Sequence, residues 1–305
     1  MTIKELEQIK RDKDVVILAH YYVDGEIQEI ADYVGDSFFL AQKARELKAN
    51  NIIMAGVSFM GESIKILNPQ KTVYLPEPEA GCPMAHMVTA EKIEEMRDRY
   101  EDLAVVCYVN STAEIKALSD YCCTSANAVR IISAIPAKHI YFVPDGNLGK
   151  NMARLFPDKH FIFNDGFCPV HHQISPDRVK AMKAAYPKAK VLAHLECRPE
   201  VVAESDYQGS TSGMLKAVKE LGGDDFIILT EKGLAWELEE TYPDKHFVYP
   251  DMVCGGMKMI KREDIVRLLE EGGPEVTLDE DIRLRALQPL ERMLEICARP
   301  QVVSA

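Results

Sequence analysis

The chain has 305 residues, 47% hydrophobic and 28% charged, which is the composition of an ordered globular protein with room for two or three domains. Lys and Arg number 36 against 48 Asp and Glu, and the net charge of −12 argues against a protein that tracks nucleic-acid phosphates. No run reaches the roughly 18 apolar residues that span a bilayer, so neither nucleic acid nor membrane is expected as a partner.

The N-terminal stretch MTIKELEQIKRDKD is charged and reads as an amphipathic helix over 3–13. It lacks the apolar core and small-residue cleavage site of a signal peptide, so a cytoplasmic location is expected. In that compartment the eight cysteines point to metal binding, catalysis or simple burial rather than disulfides. None forms a CxxC pair, which argues against a zinc ribbon.

DVVILAHYY at 14–22 reads as a strand that ends in polar residues at His20. The same kind of strand recurs as LAVVCYVNST at 103–112 and AKVLAHLEC at 189–197, placing equivalent positions at 20, 107 and 194. A second signature follows each strand: ADYVGDS at 31–37, SDYCCTS at 119–125 and SDYQGST at 205–211. Each opens a helical pattern and sets Ser37, Ser125 or Thr211 where an N-cap would sit. The repeated Asp-Tyr pair itself is read as serving packing and the start of the helix.

Second buried strands follow as NIIMAGV, HIYFVPD and FIILTEK, with helices that begin near Met60, Leu148 and Leu234 and stop at prolines 69, 157 and 243. The third strands lie in PQKTVYLPEPEAGC (69–82), PDKHFIFNDGFC (157–168) and PDKHFVYPDMVC (243–254), and their closing cysteines, Cys82, Cys168 and Cys254, are 86 residues apart each time. Residues 261–272 and 278–297 read as helices, the last kinked at Pro289 and expected to pack back across the first repeat.

A period this regular decides the architecture. The fold class is α/β: three repeated three-layer αβα units with parallel sheets, in a pseudo-threefold arrangement around a central cluster site. The units are 1–84 (with C-terminal helices 259–305 packing on it), 85–170 and 171–258. In open parallel sheets ligands bind beyond the carboxyl ends of the strands, which is where His20 and Tyr22, Tyr108 and Asn110, His194 and Glu196 and the three cysteines fall. Thiolates favour zinc, copper(I) or iron–sulfur clusters. Ligands one per repeat, so far apart in sequence, suit a cluster with an open iron better than a closed zinc site.

Ser37, Ser125, Ser210 and Thr211 open helices and can hold carboxylate or phosphate, or can simply cap them. Tyr22, Tyr108 and Glu196 are candidate proton-transfer groups. His20 and His194 are a repeat-related pair, and His171 in CPVHH is assigned to substrate. Cys107, Cys122, Cys123, Cys197 and Cys297 do not recur in all copies and are read as non-ligands.

These motifs resemble the quinolinate synthase family across nearly the whole chain: AHYY at 19–22, GDS at 35–37, GCPMA at 81–85, YVNST at 108–112, CTSANA at 123–128, CPVH at 168–171, HLEC at 194–197, GST at 209–211 and VCGGMK at 253–258. The resemblance implies an oxygen-sensitive [4Fe–4S] cluster held by Cys82, Cys168 and Cys254. It implies condensation of iminoaspartate with dihydroxyacetone phosphate, with passing contact to the aspartate oxidase or dehydrogenase that makes the imine. By the same matching, His20, Ser37, Ser125, His194, Ser210 and Thr211 would hold carboxylates and phosphate. Tyr22, Tyr108, Asn110, His171 and Glu196 would surround the reacting carbons. An aconitase-like hydro-lyase and a cluster-sensing or anion-binding module stand as the competing readings.

Overall fold

The computed structural model describes residues 2–300. Its strands form three separate four-stranded sheets, each with the order second, first, third, fourth. The first sheet contains β1 (Val15–His20), β2 (Tyr33–Gly35), β3 (Asn51–Ala55) and β4 (Thr72–Tyr74). The second contains β5 (Leu103–Tyr108), β6 (Tyr121–Cys123), β7 (His139–Val143) and β8 (His160–Phe163). The third contains β9 (Lys190–His194), β10 (Tyr207–Gly209), β11 (Asp225–Leu229) and β12 (His246–Val248). All neighbouring pairs are parallel. The three repeated αβα units expected from the sequence are therefore present.

The central strands are continuous apolar runs because helices cover both faces of each sheet. In the third unit Val191, Ala193, Ile227 and Leu229 enter one core, while Leu192, Phe226 and Ile228 enter the core on the opposite face. The first and second units instead share a single continuous core.

The sequence shows three strands per unit, and the structure adds a fourth. The Asp-Tyr signature is not the start of a helix: it is the short strand at the edge of each sheet. Its aspartate clamps that strand to the central one. The backbone N–H of Ile17 donates to Asp32 Oδ2 at 2.7 Å, that of Val105 to Asp120 Oδ2 at 2.8 Å and that of Val191 to Asp206 Oδ2 at 2.8 Å. Each aspartate N–H returns a bond to the carbonyl of the same residue. A three-residue strand makes too few ladder bonds to fix its own register, so the carboxylate supplies the missing anchor.

Register also corrects the alignment of the repeats. His20 lies opposite Gly35, Tyr108 opposite Cys123 and His194 opposite Gly209. The structural equivalents are thus 20, 108 and 194, not 20, 107 and 194. Tyr108 occupies in the second unit the place that histidine holds in the other two.

The C-terminal segment serves two units. The helix Arg262–Glu271 packs on the leader helix Ile3–Asp12, and residues 275–276 bond to the edge of β4. The long helix Glu280–Ala298 reaches beyond the first repeat, on which it was expected to pack. It lies mainly against β6 and the helices Ala113–Ala117 and Ala128–Ala134 of the second unit, and secondarily against Ser58–Leu67 of the first. Ala286, Leu290 and Met293 are fully buried there, alongside Ala113, Ile115 and Cys123, so the helix seals the seam through which the two units share a core. Pro289 sits inside that helix, and residues 301–305 of the expected C-terminal stretch lie outside the described residues. No helix among the described residues is long and apolar enough to cross a membrane.

Candidate active site

The carboxyl ends of the three sheets meet at one cavity. Each central strand delivers a pair of side chains, its last residue and the one two further on in the turn that follows. The pairs are His20 and Tyr22, Tyr108 and Asn110, and His194 and Glu196, and all six line the cavity. So do Ser37, Ser125, Thr211, His171, Cys82, Cys168 and Cys254. Of the residues singled out from sequence, Ser210 alone is not among the lining residues.

The reason lies in the caps. Asp36 caps the helix Ser37–Glu46 by accepting the Phe39 N–H at 3.0 Å, and Ser210 caps Thr211–Leu221 by accepting the Gly213 N–H at 3.1 Å. The expected N-cap positions are therefore one residue late. Ser37 and Thr211 are first-turn residues whose hydroxyls are free of capping, at helix ends whose dipole favours anions. In the second unit the Thr124 N–H donates to Asn127 Oδ1 at 2.7 Å, and the helix begins later, at Ala128. Ser125 precedes it and faces the cavity.

His20 and His194 are fixed alike. Nδ1 of His20 accepts the Tyr22 N–H at 3.2 Å, and Nδ1 of His194 accepts the Glu196 N–H at 3.2 Å. An accepting Nδ1 leaves the proton on Nε2, and His194 Nε2 donates to Ser125 Oγ at 3.2 Å. Burial brings His20 down to about 4 and His194 to about 3, so both rings are neutral at neutral pH.

Glu196 is 2% exposed, and its Oε2 accepts from His171 Nδ1 at 2.7 Å. Burial pushes this carboxyl up, but the His171 ring beside it and the hydrogen bonds of His171 and Tyr108 outweigh that and bring it to about 2. A continuous hydrogen-bonded chain leads away from it. His171 Nε2 lies 2.9 Å from Thr230 Oγ1, Thr230 Oγ1 lies 2.8 Å from the Tyr22 hydroxyl, and that hydroxyl lies 3.0 Å from Thr211 Oγ1. Burial first, and then the Glu196 charge, hold the hydroxyls of Tyr22 and Tyr108 well above their usual range. Two buried acceptors in the cavity wall, Glu196 Oε1 and Asn110 Oδ1, have no hydrogen-bond partner. Such atoms are costly unless something fills the site.

Each of the three cysteines directly precedes a short helical turn: Pro83–His86, Pro169–His172 and Gly255–Met259. All three thiols are free and half-buried. Burial raises each of them, Cys82 to about 12, so they stay protonated until a cation draws the protons off. Backbone N–H groups of the following turns oppose that rise and favour the thiolate. Three soft donors from three units, with no disulfide between them, suit a thiolate-ligated metal group. Cys168, His171 and Glu196 also place ligand atoms within 4.8 Å of one another. In the third copy Gly256 is required by packing: a Cβ there would collide with the Gly81 carbonyl, so the first and third cysteine loops cross at that point.

Neighbouring residues separate cleanly. His171 enters the cavity, whereas His172 stacks on Phe167 at 4.2 Å and takes a contact from Asn147 at 3.0 Å. Tyr22 enters, whereas Tyr21 packs in the third unit's core. Cys107, Cys122, Cys123 and Cys197 are wholly buried and do not line the cavity, nor does the half-buried Cys297. Sequence reasoning missed Asp36, Thr124, Thr230 and Glu231. Asp36 and Thr124 lie inside the recurring GDS and CTS motifs, and Glu231 stands two residues past a strand end, so position within the repeat was the available signal.

The chain matches the family model described as quinolinate synthetase A protein over residues 4–295. It is 51% identical over 292 residues to a quinolinate synthase of Fusobacterium nucleatum, covering 95% of this chain and 98% of that one. It is 45% identical to quinolinate synthase 2 of Methanosarcina acetivorans, covering 96% and 95% of the two chains, and 44% identical to a quinolinate synthase of Aquifex aeolicus, covering 96% and 93%. The match runs over almost the whole of both partners, and the chain belongs to the quinolinate synthetase A protein family, a family of enzymes.

Proposed function

We propose that the chain is the quinolinate synthase of NAD biosynthesis, joining iminoaspartate to dihydroxyacetone phosphate and releasing quinolinate, one phosphate and two waters. The observation that supports this reading is the convergence of three repeat-related thiols with the hydroxyls of Ser37, Ser125 and Thr211 in one cavity. Cys82, Cys168 and Cys254 would hold a [4Fe–4S] cluster, which when bound supplies an iron without a protein thiolate as a Lewis acid toward a substrate oxygen.

The remaining work falls to the chain's own side chains. Ser37, Ser125 and Thr211 hold carboxylate and phosphate oxygens by their hydroxyls, and at Ser37 and Thr211 the N–H groups of the helix starts add to them, which localises positive potential in a protein of net charge −12. Ser210 supports Thr211 as its cap. The neutral rings of His20 and His194 donate from Nε2 to anionic oxygens without adding charge. Asn110 Oδ1, unpartnered in the wall, accepts an N–H of the imine-derived nitrogen. Glu196 is ionised at neutral pH and takes up protons from carbons that lose them during dehydration. The hydroxyls of Tyr22 and Tyr108 stay protonated and return protons to departing oxygens. His171 holds Glu196 in place and links it through Thr230 to Tyr22.

Anaerobic purification with iron and sulfide analysis tests the cluster, and an assay with iminoaspartate and dihydroxyacetone phosphate tests the reaction. About four irons per chain, lost in Cys82→Ala, Cys168→Ala and Cys254→Ala but kept in Cys197→Ala, are expected. Glu196→Gln is expected to bind substrates and not turn over. One zinc per chain, or full activity in Glu196→Gln, would overturn the corresponding part.

A further inference from the structure

The three cysteines are equivalent in sequence period but not in how their main chains are held. Asp145 stands two residues beyond the end of β7, and Glu231 two residues beyond the end of β11. Each precedes its unit's cysteine by 23 residues. Both side chains are 0% exposed, and both spend their two carboxylate oxygens on backbone N–H groups. Asp145 Oδ1 accepts from Leu148 at 2.9 Å, and its Oδ2 accepts from Cys168 at 3.2 Å. Glu231 Oε2 accepts from Gly233, and its Oε1 accepts from Cys254 at 3.1 Å, with the Lys258 ammonium 3.8 Å away. The corresponding position in the first unit, two residues beyond β3, is Val57, whose side chain can accept nothing. There the strand-end loop is tied to the cysteine loop through backbone alone, by the Ser58 N–H donating to the Ala80 carbonyl at 2.8 Å.

We propose that Asp145 and Glu231 are positioning residues that brace the main chains of Cys168 and Cys254, so that those two thiols stay aimed into the cavity and retain the metal group held there. The inference rests on the reading of the three cysteines as ligands. A buried carboxylate without a full cationic partner is expensive. Its compensation is the pair of N–H groups it satisfies, one from the helix that follows its own strand and one from the cysteine. The brace thereby couples the cysteine loop to the sheet from which the cavity is built. Two corners of the metal site are tied to the sheets by side chains, and the Cys82 corner is not.

The neutral isosteres test this, because an amide offers one acceptor where two are needed and turns its NH2 against a backbone N–H. In full-length protein purified without oxygen, Asp145→Asn and Glu231→Gln are expected to lose iron to a chelator at least tenfold faster than the parent. The second measurement uses cluster-free protein and site-resolved alkylation of its cysteines. Asp145→Asn is expected to change the rate at Cys168 alone and Glu231→Gln at Cys254 alone, with Cys82 and the buried Cys197 unmoved. Uniform acceleration at every cysteine would mean general unfolding, and unchanged rates at the paired cysteine would mean no brace; either overturns the proposal. A parent that carries no iron would instead refute the ligand reading, and the alkylation pattern would still decide the brace.

Discussion

The neutrality of His20 and His194 makes a prediction about acid stability. Both rings are buried and brought down, to about 4 and about 3, from an ordinary value near 6.5. In the unfolded chain they take up protons as pH falls through about 6.5, while in the folded chain they resist until their lowered values are reached. Stability is therefore complete above about pH 7.5 and lost progressively between 6.5 and 4. At pH 5 the shortfall is about 1.5 proton-binding units for each ring, and at about 1.4 kcal/mol per unit this is roughly 2 kcal/mol each. Glu196, lowered to about 2, works in a separate window, since its contribution fades only as pH falls below about 4.5. Asp145 and Glu231, both raised by burial, shift in the opposite sense, but they are common to parent and variants and cancel in the difference. The assay is urea unfolding of cluster-free, reduced protein at pH 7.5 and pH 5, for the parent and for His20→Gln and His194→Gln. Each substitution is expected to remove about 2 kcal/mol of the parent's loss between the two pH values, whatever it does to absolute stability. Identical pH dependence in parent and variants would show that the rings are not held neutral, and would refute the tautomers assigned from their Nδ1 bonds.

Thr230→Val removes the hydroxyl between His171 and Tyr22 at almost unchanged volume; turnover is expected to fall at least tenfold, with Thr230→Ser recovering most of it, in steady-state assays of loaded enzyme. Gly256→Ala should destabilise the chain by about 1–3 kcal/mol, because the neighbour is the Gly81 carbonyl, which cannot rotate aside. Gly255→Ala, with nothing within 4 Å of the added atom, should stay within about 0.5 kcal/mol of the parent in the same denaturation experiment. Asp206→Ala leaves the Val191 N–H without its partner at the sheet edge and is expected to cost about 1–3 kcal/mol by denaturant midpoint, with the third sheet losing hydrogen-exchange protection first.

Much of this protein was readable as a linear text because its fold is written three times. Strand ends, helix stops at prolines 69, 157 and 243 and the spacing of Cys82, Cys168 and Cys254 recur with each copy, and parallel sheets oblige strand ends to share one side. The period alone thus brought together the residues that line the cavity. It was blind to anything that depends on register or on side-chain partners. A three-residue edge strand has no periodicity to detect, so the Asp-Tyr pairs passed for helix starts until their carboxylates were seen holding Ile17, Val105 and Val191. One residue of drift in β5 hid the equivalence of Tyr108 with His20 and His194, which only the pairing with Cys123 reveals.

Tertiary structure decided the finer chemistry for the same reason. Whether a hydroxyl caps a helix or faces a ligand differs by one position, as Ser210 and Thr211 show, and sequence does not say which N–H each oxygen meets. Thr230, Asp145 and Glu231 act through groups far away in the chain or through the backbone of another loop, so no local pattern marks them. The long C-terminal helix had an apolar face plain in sequence, but amphipathicity names a face and not the surface that receives it. That surface was the open seam between the first two units, where Ala113, Ile115 and Cys123 lay apolar and uncovered until Leu290 and Met293 closed over them.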